Sequence, residues 1–167
     1  MLELTNGCLW AIWAALAEHF GPWRVVEGWV LLSFVLVAAT IDAAHRVVPN
    51  ALTTSGAVMW LPFALGLHQL GTGALGALVF AGPLALTAVC GGIGMGDVKF
   101  ALVAGLYLGW PFALVAFVLS SLGGGLLSAV LLATGHKHRG EAFAFAPVLA
   151  CGTTLAALAQ VSQSMVH

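Results

Sequence analysis

Long apolar stretches, separated by short polar or glycine- and proline-containing breaks, run along the whole of this chain. The stretches are continuous runs of Ala, Leu and Val, not alternations of apolar and polar residues. A helix needs about 20 apolar residues to cross a bilayer, whereas the strands of a membrane barrel alternate with a period of two. The pattern therefore predicts an all-α fold, a bundle of transmembrane helices.

The breaks divide the chain into seven expected spans. These are residues 4–20, 25–43, 51–70, 74–91, 97–110, 112–134 and 143–161. The fifth has only 14 residues, so a short tilted or re-entrant segment, and a total of six crossings, is the alternative. We expect 71–73 to form a tight turn and the three glycines at 123–125 to let helices pack closely. Residues 1–167 are expected to form a single integral-membrane domain.

Composition supports a membrane protein and narrows its partners. Hydrophobic residues make up 61% of the chain and charged residues 7%, against about 45–50% and about 25% in typical soluble proteins. The net charge of −1 and the lack of a basic patch give no indication of nucleic-acid binding. The three cysteines form no CxxC pair, so we expect buried thiols and no zinc site or disulfide framework.

The basic residues predict the orientation in the membrane. With seven crossings, four of the five Lys and Arg residues fall on one side and Arg24 falls alone on the other. Lys and Arg are enriched in cytoplasmic loops. The side that carries Arg46 and Lys99 is therefore expected to be cytoplasmic.

Asp42 and Asp97 are the acids that most need an explanation. Only 11 of 167 residues are charged, and an ionised group near hydrocarbon is costly and usually functional. Both acids lie at span ends, and two complete crossings separate them, so both are expected at the same face. Gly94 and Gly96 precede Asp97 and give its backbone conformational freedom. The remaining acids are interpreted as solvated or interfacial; they are Glu3, Glu18, Glu27 and Glu141.

Two carboxylates held close together share a proton, because both cannot ionise easily. The ionised member can take a proton from an attacking water while the protonated member polarises a peptide carbonyl. Several alternatives remain open at this point. Asp97 could cap a helix, Asp42 could pair with Arg46, and the two acids could form a proton or cation relay in a small transporter.

Two segments resemble the active-site motifs of type IV prepilin peptidases. Residues 42–50, Asp-Ala-Ala-His-Arg-Val-Val-Pro-Asn, resemble the family's Asp followed after five residues by Ile-Pro-Asn, with Val48 in place of Ile. Residues 94–99, Gly-Met-Gly-Asp-Val-Lys, match the second motif, and 145–150 resemble a Pro-containing segment near the carboxyl terminus. The resemblance implies a multi-pass aspartyl endopeptidase of the bacterial inner membrane. Its catalytic pair would be Asp42 and Asp97, facing the cytoplasm.

The resemblance also implies the substrate and the limits of the activity. Family members remove the positively charged leader from prepilins and pilin-like proteins, cutting after a Gly at the edge of the substrate's hydrophobic helix. The larger members carry paired CxxC motifs and also methylate the new amino terminus. This chain has no CxxC, so it resembles the short, peptidase-only branch associated with Flp-type pili, and we expect no methyltransferase activity.

Supporting roles follow for the neighbours of the two acids. Pro49 restricts the chain after the first acid, and Asn50 is a candidate cap for the next helix. Gly94 and Gly96 are expected to admit substrate backbone, or simply to form a flexible turn, and Lys99 to anchor at headgroups or tune Asp97. No metal or organic cofactor is expected. The lack of an H-E-x-x-H pattern argues against a zinc metalloprotease, and the lack of G-x-S-x-G argues against a serine protease. The tryptophans, Trp60 among them, are expected at membrane interfaces.

Overall fold

The computed structural model describes residues 22–134 and 145–164, and these residues form six helices. The helices are α1 (Pro22–His45), α2 (Asn50–Gly66), α3 (Leu70–Val89), α4 (Met95–Leu108), α5 (Phe112–Ala133) and α6 (Ala146–Ser164). They confirm the expected all-α bundle. The expected first span and most of the polar loop after α5 lie outside the described residues.

Among the described residues, three helical stretches are long and apolar enough to cross a membrane. They are Trp23–His45, Leu70–Val89 and Phe112–Val130. These stretches correspond to α1, α3 and most of α5. The short segment predicted at 97–110 is a helix of 14 residues, α4.

Helix α4 lies at the centre of the bundle and packs against all five other described helices. Nine of its 14 residues are buried, which explains why its sequence is apolar on every side and shows no polar face. Phe100 of α4, for example, stacks at 5.5 Å between ring centroids on Phe34 of α1. The central position makes α4 the frame on which the other helices are placed.

The closest approach of α4 is to α3, and it depends on glycine. A Cβ atom at Gly105 of α4 would lie 2.6 Å from the carbonyl oxygen of Gly76 and 2.7 Å from the Cα of Ala77 in α3. Such distances leave no room for a side chain. Small residues at an interface let helix backbones approach closely in the membrane, and here they bring α3 against α4.

The turn predicted at 71–73 is wrong, because α3 already begins at Leu70. The chain turns earlier, at residues 67–69, where His68 has a φ of 53°. Gly73 instead lies inside α3, against the indole ring of Trp60. The glycine at position 73 therefore marks a close helix contact. Glycines occur both in tight turns and at such contacts, so the sequence alone does not distinguish the two.

The glycines at 123–125 do not interrupt α5, and two of them face α6. A Cβ at Gly123 would lie 3.3 Å from Val148, and one at Gly124 would overlap the ring of Phe145. The packing interpretation of these glycines is confirmed for these two positions. At Gly125, no atom from another part of the described chain lies within 4 Å of an added Cβ.

Glu27 contradicts the interpretation of the lesser acids as solvated or interfacial. It is only 5% exposed, near the start of α1. One carboxylate oxygen lies 3.6 Å from the Arg24 guanidinium and accepts a hydrogen bond from Gln69 at 3.5 Å. A partner of opposite charge and a hydrogen-bond donor make burial of this carboxylate tolerable. Arg24 lies only three residues before Glu27, but Gln69 is 42 positions away and could not be recognised from the sequence around Glu27.

Two further expectations fail on burial. Trp60 is buried rather than interfacial, since α3 covers its indole ring through Gly73. Cys90 and Cys151 are exposed on the surface of the described bundle, although buried thiols were expected. In a chain this apolar, lipid-facing and core-facing positions have the same composition, so the sequence does not separate them.

Candidate active site

Asp42 lies in the last turn of α1 and points into the bundle. Its side chain is 5% exposed. The main-chain N–H of Ala146, the first residue of α6, donates a hydrogen bond of 3.1 Å to its Oδ2 atom. Asp42 is therefore held between the end of one helix and the start of another that lies more than a hundred residues later in the chain.

Asp97 lies in the first turn of α4 and is 8% exposed. The N-cap of this helix is Gly94, so the interpretation of Asp97 as the N-cap is wrong. The N–H of Asp97 donates to the Gly94 carbonyl at 3.1 Å, and a backbone hydrogen bond from Gly94 reaches its carboxylate. Because Gly94 has no side chain, only half of a capping box is present, in which the acid at the third helical position reaches back to the N-cap. It positions the carboxylate at the amino-terminal end of α4.

The residues around the two acids contact one another, so the two motifs form one site. A Cβ at Gly96 would lie 3.3 Å from the Cβ of Val48, which means that Gly96 packs directly against the segment after Asp42. Lys99 Nζ donates a hydrogen bond to Asn50 Oδ1 across the same junction. Gly96 is thus a packing residue here, and neither of the two roles considered for it from sequence includes this contact.

Pro49 and Asn50 form the start of α2, but Pro49, and not Asn50, occupies the N-cap position. Pro49 is the N-cap, with φ −63° and ψ 137°, and no side chain caps this helix end. Asn50 is the first helical residue, so the expectation that its side chain caps α2 is wrong. Because its amide oxygen is turned toward Lys99, Asn50 links α2 to α4 instead.

The two carboxylates are close enough to interact electrostatically. Asp97 lies at the amino-terminal end of α4, outside the three stretches that could cross a membrane. Burial, and after it the negative charge of Asp42, raise the pKa of Asp97, while the hydrogen bond from Gly94 acts in the opposite direction. Like charges at short range favour a shared proton. The arrangement therefore suits acid–base chemistry by a pair of carboxyl groups.

A salt bridge from Asp42 to Arg46 is not present. Within residues 22–134 and 145–164, the ion pair that forms joins Arg24 to Glu27. Arg46 follows the end of α1 with a φ of 55°, and its side chain is exposed. Its main-chain N–H donates to the Asp42 carbonyl at 2.7 Å. The Asp42 carboxylate is thus left to Ala146 and to Asp97.

The histidines do not join the acids. His45 and His68 are both exposed, and no group of three or more His, Cys, Asp or Glu side chains comes together in the part of the chain that the structure describes. His136 and His138 lie outside the described residues.

Ala146 is the residue of this site that sequence reasoning missed. The segment 145–150 was noticed only for its resemblance, and an alanine offers no side chain that signals a function. Its contribution is a main-chain donor at a helix start. The available signal was Pro147, since Pro is typical of the first turn of a helix.

A pair of buried carboxylates on two neighbouring helices of an apolar bundle defines a polytopic membrane protein with a paired-acid site. Residues 29–129, more than half of the chain, match the sequence profile of the type IV leader peptidase family, so the chain belongs to this family. The resemblance that the motifs indicated is confirmed.

Curated relatives agree with this assignment. The chain is 31% identical over 167 residues to the prepilin leader peptidase/N-methyltransferase of Bacillus subtilis (strain 168), covering 93% of this chain and 64% of the relative. It is 30% identical over 155 residues to the protein of that name from Pseudomonas aeruginosa, covering 85% and 52%. It is 33% identical over 153 residues to the protein of that name from Aeromonas hydrophila, covering 80% of this chain and 51% of the relative. The chain thus spans about half to two thirds of these relatives. No solved structure matches it.

Proposed function

We propose that this chain is an aspartic-type endopeptidase that removes the leader peptide from type IV prepilins or pilin-like proteins, with Asp42 and Asp97 as its catalytic pair. The observation that carries the proposal is the convergence of two buried carboxylates, each 8% exposed or less, in a member of the type IV leader peptidase family. A transporter relay would also use buried acids, but family membership favours peptide hydrolysis.

The reaction needs no metal or organic cofactor. One carboxylate removes a proton from water as the water attacks the scissile carbonyl carbon, and the other carboxyl group donates a hydrogen bond to the carbonyl oxygen. The intermediate then collapses as the amine of the mature pilin is protonated and leaves. Residues 1–167 act as a single membrane domain in this proposal.

Gly94 is the place where substrate backbone approaches the acids. It is exposed and extended, with φ −76° and ψ 148°. A Cβ there would meet only the Asp97 carboxylate, at 3.7 Å, and the Gly96 nitrogen, at 3.9 Å. No other atom of the described residues lies within 4 Å of that Cβ position. An extended substrate segment can lie along this edge, where a side chain at position 94 would come between substrate and acid.

The site faces the cytoplasm of a bacterial inner membrane in this proposal. Arg46 and Lys99 lie beside the two acids in sequence, and four of the five basic residues fall on their side when the spans alternate. The basic leader of the substrate helix would lie on this side, and the apolar part of that helix in the bilayer. No nucleic acid takes part.

We expect leader removal without N-methyltransferase activity. The relatives' printed name combines both activities, whereas these 167 residues contain three cysteines and no CxxC pair. Mass spectrometry of a cleaved pilin, produced with this chain as the sole processing enzyme, should show an unmodified amino terminus. A methylated terminus would overturn this part of the proposal.

Cleavage of a Flp-type prepilin tests the proposed peptidase activity. The prepilin is co-expressed with the wild-type chain, with Asp42→Asn or with Asp97→Asn, and leader removal is followed by mass. Wild type should cleave and both variants should not. Glu27→Gln is the matched control, because Glu27 is the other buried acid of the described residues and lies about 22 Å along α1 from Asp42 at 1.5 Å per residue. Full cleavage by either Asp variant would refute the catalytic pair.

A further inference from the structure

Helix α4 has the largest buried share of the described helices, yet one stripe along it is open. Nine of its 14 residues are buried. Apart from Gly96, the rest are Met95, Lys99, Leu102 and Leu106, which we call the α4 stripe. They follow one another at intervals of four, three and four positions, the spacing of a single helix face. Met95 is 60% exposed and Leu102 is 43% exposed.

The α4 stripe lies open between α2 and α3. Gly105 and Tyr107, the neighbours of Leu106 in sequence, point about 100° to either side of it. Tyr107 donates a hydrogen bond of 2.9 Å to the Gly56 carbonyl of α2, and Gly105 packs against Gly76 of α3. Since α2 and α3 flank the stripe and leave it exposed, a cleft separates these two helices.

This cleft is closed at one end and open at the end that holds the proposed site. Helices α2 and α3 meet where the Trp60 ring packs on Gly73, beside the Leu106 carbonyl. Toward the start of α4 the cleft reaches Met95 and then Gly94, which is also exposed. From Leu106 to Met95 it extends for about 16 Å, at 1.5 Å per residue. It therefore leads along α4 directly to the edge beside Asp97.

The charges along the cleft indicate what it can hold. Helices α2 and α3 contain no Asp, Glu, Lys, Arg or His. Lys99 is the charged residue of the α4 stripe, and its ammonium donates a hydrogen bond to Asn50, at the start of α2. The occupant must thus be apolar over most of the cleft and reach a polar boundary near the proposed site. A hydrophobic helix that begins beside the cleaved bond has this character.

We propose that the hydrophobic helix of the prepilin docks between α2 and α3, along the α4 stripe. The inference rests on the proposed peptidase function and adds the route by which the substrate reaches the acids. The continuity of the cleft with Gly94 carries it, because this is the edge at which substrate backbone approaches Asp97. Helix α4 also starts at the site, so a substrate helix that leaves the site lies parallel to it.

The substrate helix begins a few residues after the cleaved bond in this arrangement. Asp97 follows Met95 by two positions, so its side chain points about 200° around α4 from Met95. A helix with its side chains is about 10–12 Å wide, and an extended chain covers about 3.3 Å per residue. About three or four extended residues therefore carry the substrate past Gly94, from Asp97 to the stripe.

A photocrosslinking amino acid in place of Leu102 tests this route. The prepilin is co-expressed with an Asp97→Asn chain that carries the probe, and crosslinked peptides are identified by mass spectrometry. The crosslink should map to about ten residues after the cleaved bond, because three or four extended residues precede the seven-residue interval from Met95 to Leu102. Leu122 of α5 is the matched control position, since it is 66% exposed and lies outside the cleft.

Prepilin should crosslink at Leu102 and not at Leu122. Equal crosslinking at the two positions would mean that exposure to the bilayer alone explains the contact, and it would overturn the inference. Crosslinks at Leu102 that join only lipid, or only a second copy of this chain, would overturn it as well.

Leu102→Trp tests the same cleft by its effect on kinetics. The larger side chain narrows the cleft without touching either acid, so KM for the prepilin should rise about tenfold with kcat unchanged. Leu122→Trp adds the same bulk at an exposed position of α5 and should leave KM as in the wild type. An unchanged KM in Leu102→Trp, or an equal rise in both variants, would contradict the route.

Cleavage and crosslinking separate this inference from the proposed function. If the wild-type chain removes the leader but Leu102 does not crosslink to prepilin, the docking route is wrong and the peptidase function stands. If Leu102 crosslinks to prepilin but the wild-type chain does not cleave it, the docking route stands and the proposed function is wrong.

Discussion

The contact between α3 and α4 gives the sharpest prediction, for Gly105→Ala. The new Cβ would lie 2.6 Å from the Gly76 carbonyl oxygen and 2.7 Å from the Ala77 Cα. Both are backbone atoms and cannot rotate away. To reach the 3.4 Å of ordinary van der Waals contact, the two helices must separate by about 0.8 Å.

The expected cost follows from two opposing effects. Overpacking of a well-packed interior costs about 1–3 kcal/mol, and alanine gains about 1 kcal/mol over glycine inside a helix. We therefore expect a net loss of up to about 2 kcal/mol in the free energy of unfolding.

The same shift should reach the proposed catalytic pair. Asp97 lies eight residues before Gly105 on the same helix, so a movement of α4 away from α3 displaces its carboxylate. Catalytic groups must be held within about 0.5 Å of their working geometry, and a displacement of about 1 Å can lower the rate by about a hundredfold. Prepilin cleavage should accordingly fall by about tenfold to a hundredfold.

Gly82→Ala is the matched control. Gly82 also lies inside α3, but among residues 22–134 and 145–164 nothing lies within 4 Å of its added Cβ. This change should therefore leave stability unchanged or raise it by up to about 1 kcal/mol. Thermal unfolding in detergent measures stability, and leader removal in membranes measures activity. Wild-type stability and activity in Gly105→Ala, or equal losses in both variants, would refute the close-packing argument.

Three other predictions concern the charge of Asp97, the contact between the two motifs and the buried Glu27. The pKa of Asp97 is raised in the folded protein, so its contribution to stability is present below the ordinary pKa of an aspartate and is lost as the pH rises through the native pKa. The melting temperature should therefore fall as the pH rises over that interval. Asp97→Asn should remove this pH dependence. Gly96→Ala should destabilise by up to about 1 kcal/mol through contact with Val48, and Val48→Ala in the same chain should recover part of the loss in a double-mutant cycle. Arg24→Met should lower the free energy of unfolding by about 1 kcal/mol, because it removes the cation beside buried Glu27. Thermal unfolding should show that adding Glu27→Gln restores this stability. Prepilin cleavage should be unaffected in the single and the double variant.

Much of the fold was predictable because the bilayer imposes a simple pattern. Apolar length and the breaks between apolar runs placed the helices within a few residues, and the expected segment 97–110 agrees with α4 (Met95–Leu108). The turn at 71–73 failed for a physical reason. Glycine serves both tight turns and close helix contacts, and only the position of Trp60 beside Gly73 shows which one applies.

The candidate site was predictable in part, since charged residues are so few. Asp42 and Asp97 stood out because the chain contains only 11 charged residues and two motifs surround these acids. The same reasoning misjudged Glu27, whose partner Gln69 lies 42 positions away. A sequence shows that a charge is rare, but not whether a distant donor compensates it.

The sequence by itself determined that this is an apolar helical bundle in which two acids stand out, because the length of the apolar runs follows from the thickness of the bilayer. Only the tertiary structure decided how those acids are held. The N–H of Ala146 meets Asp42 from across the bundle, and Val48 packs on Gly96. These contacts join residues far apart in the chain through main-chain atoms, which every residue possesses and no sequence pattern distinguishes.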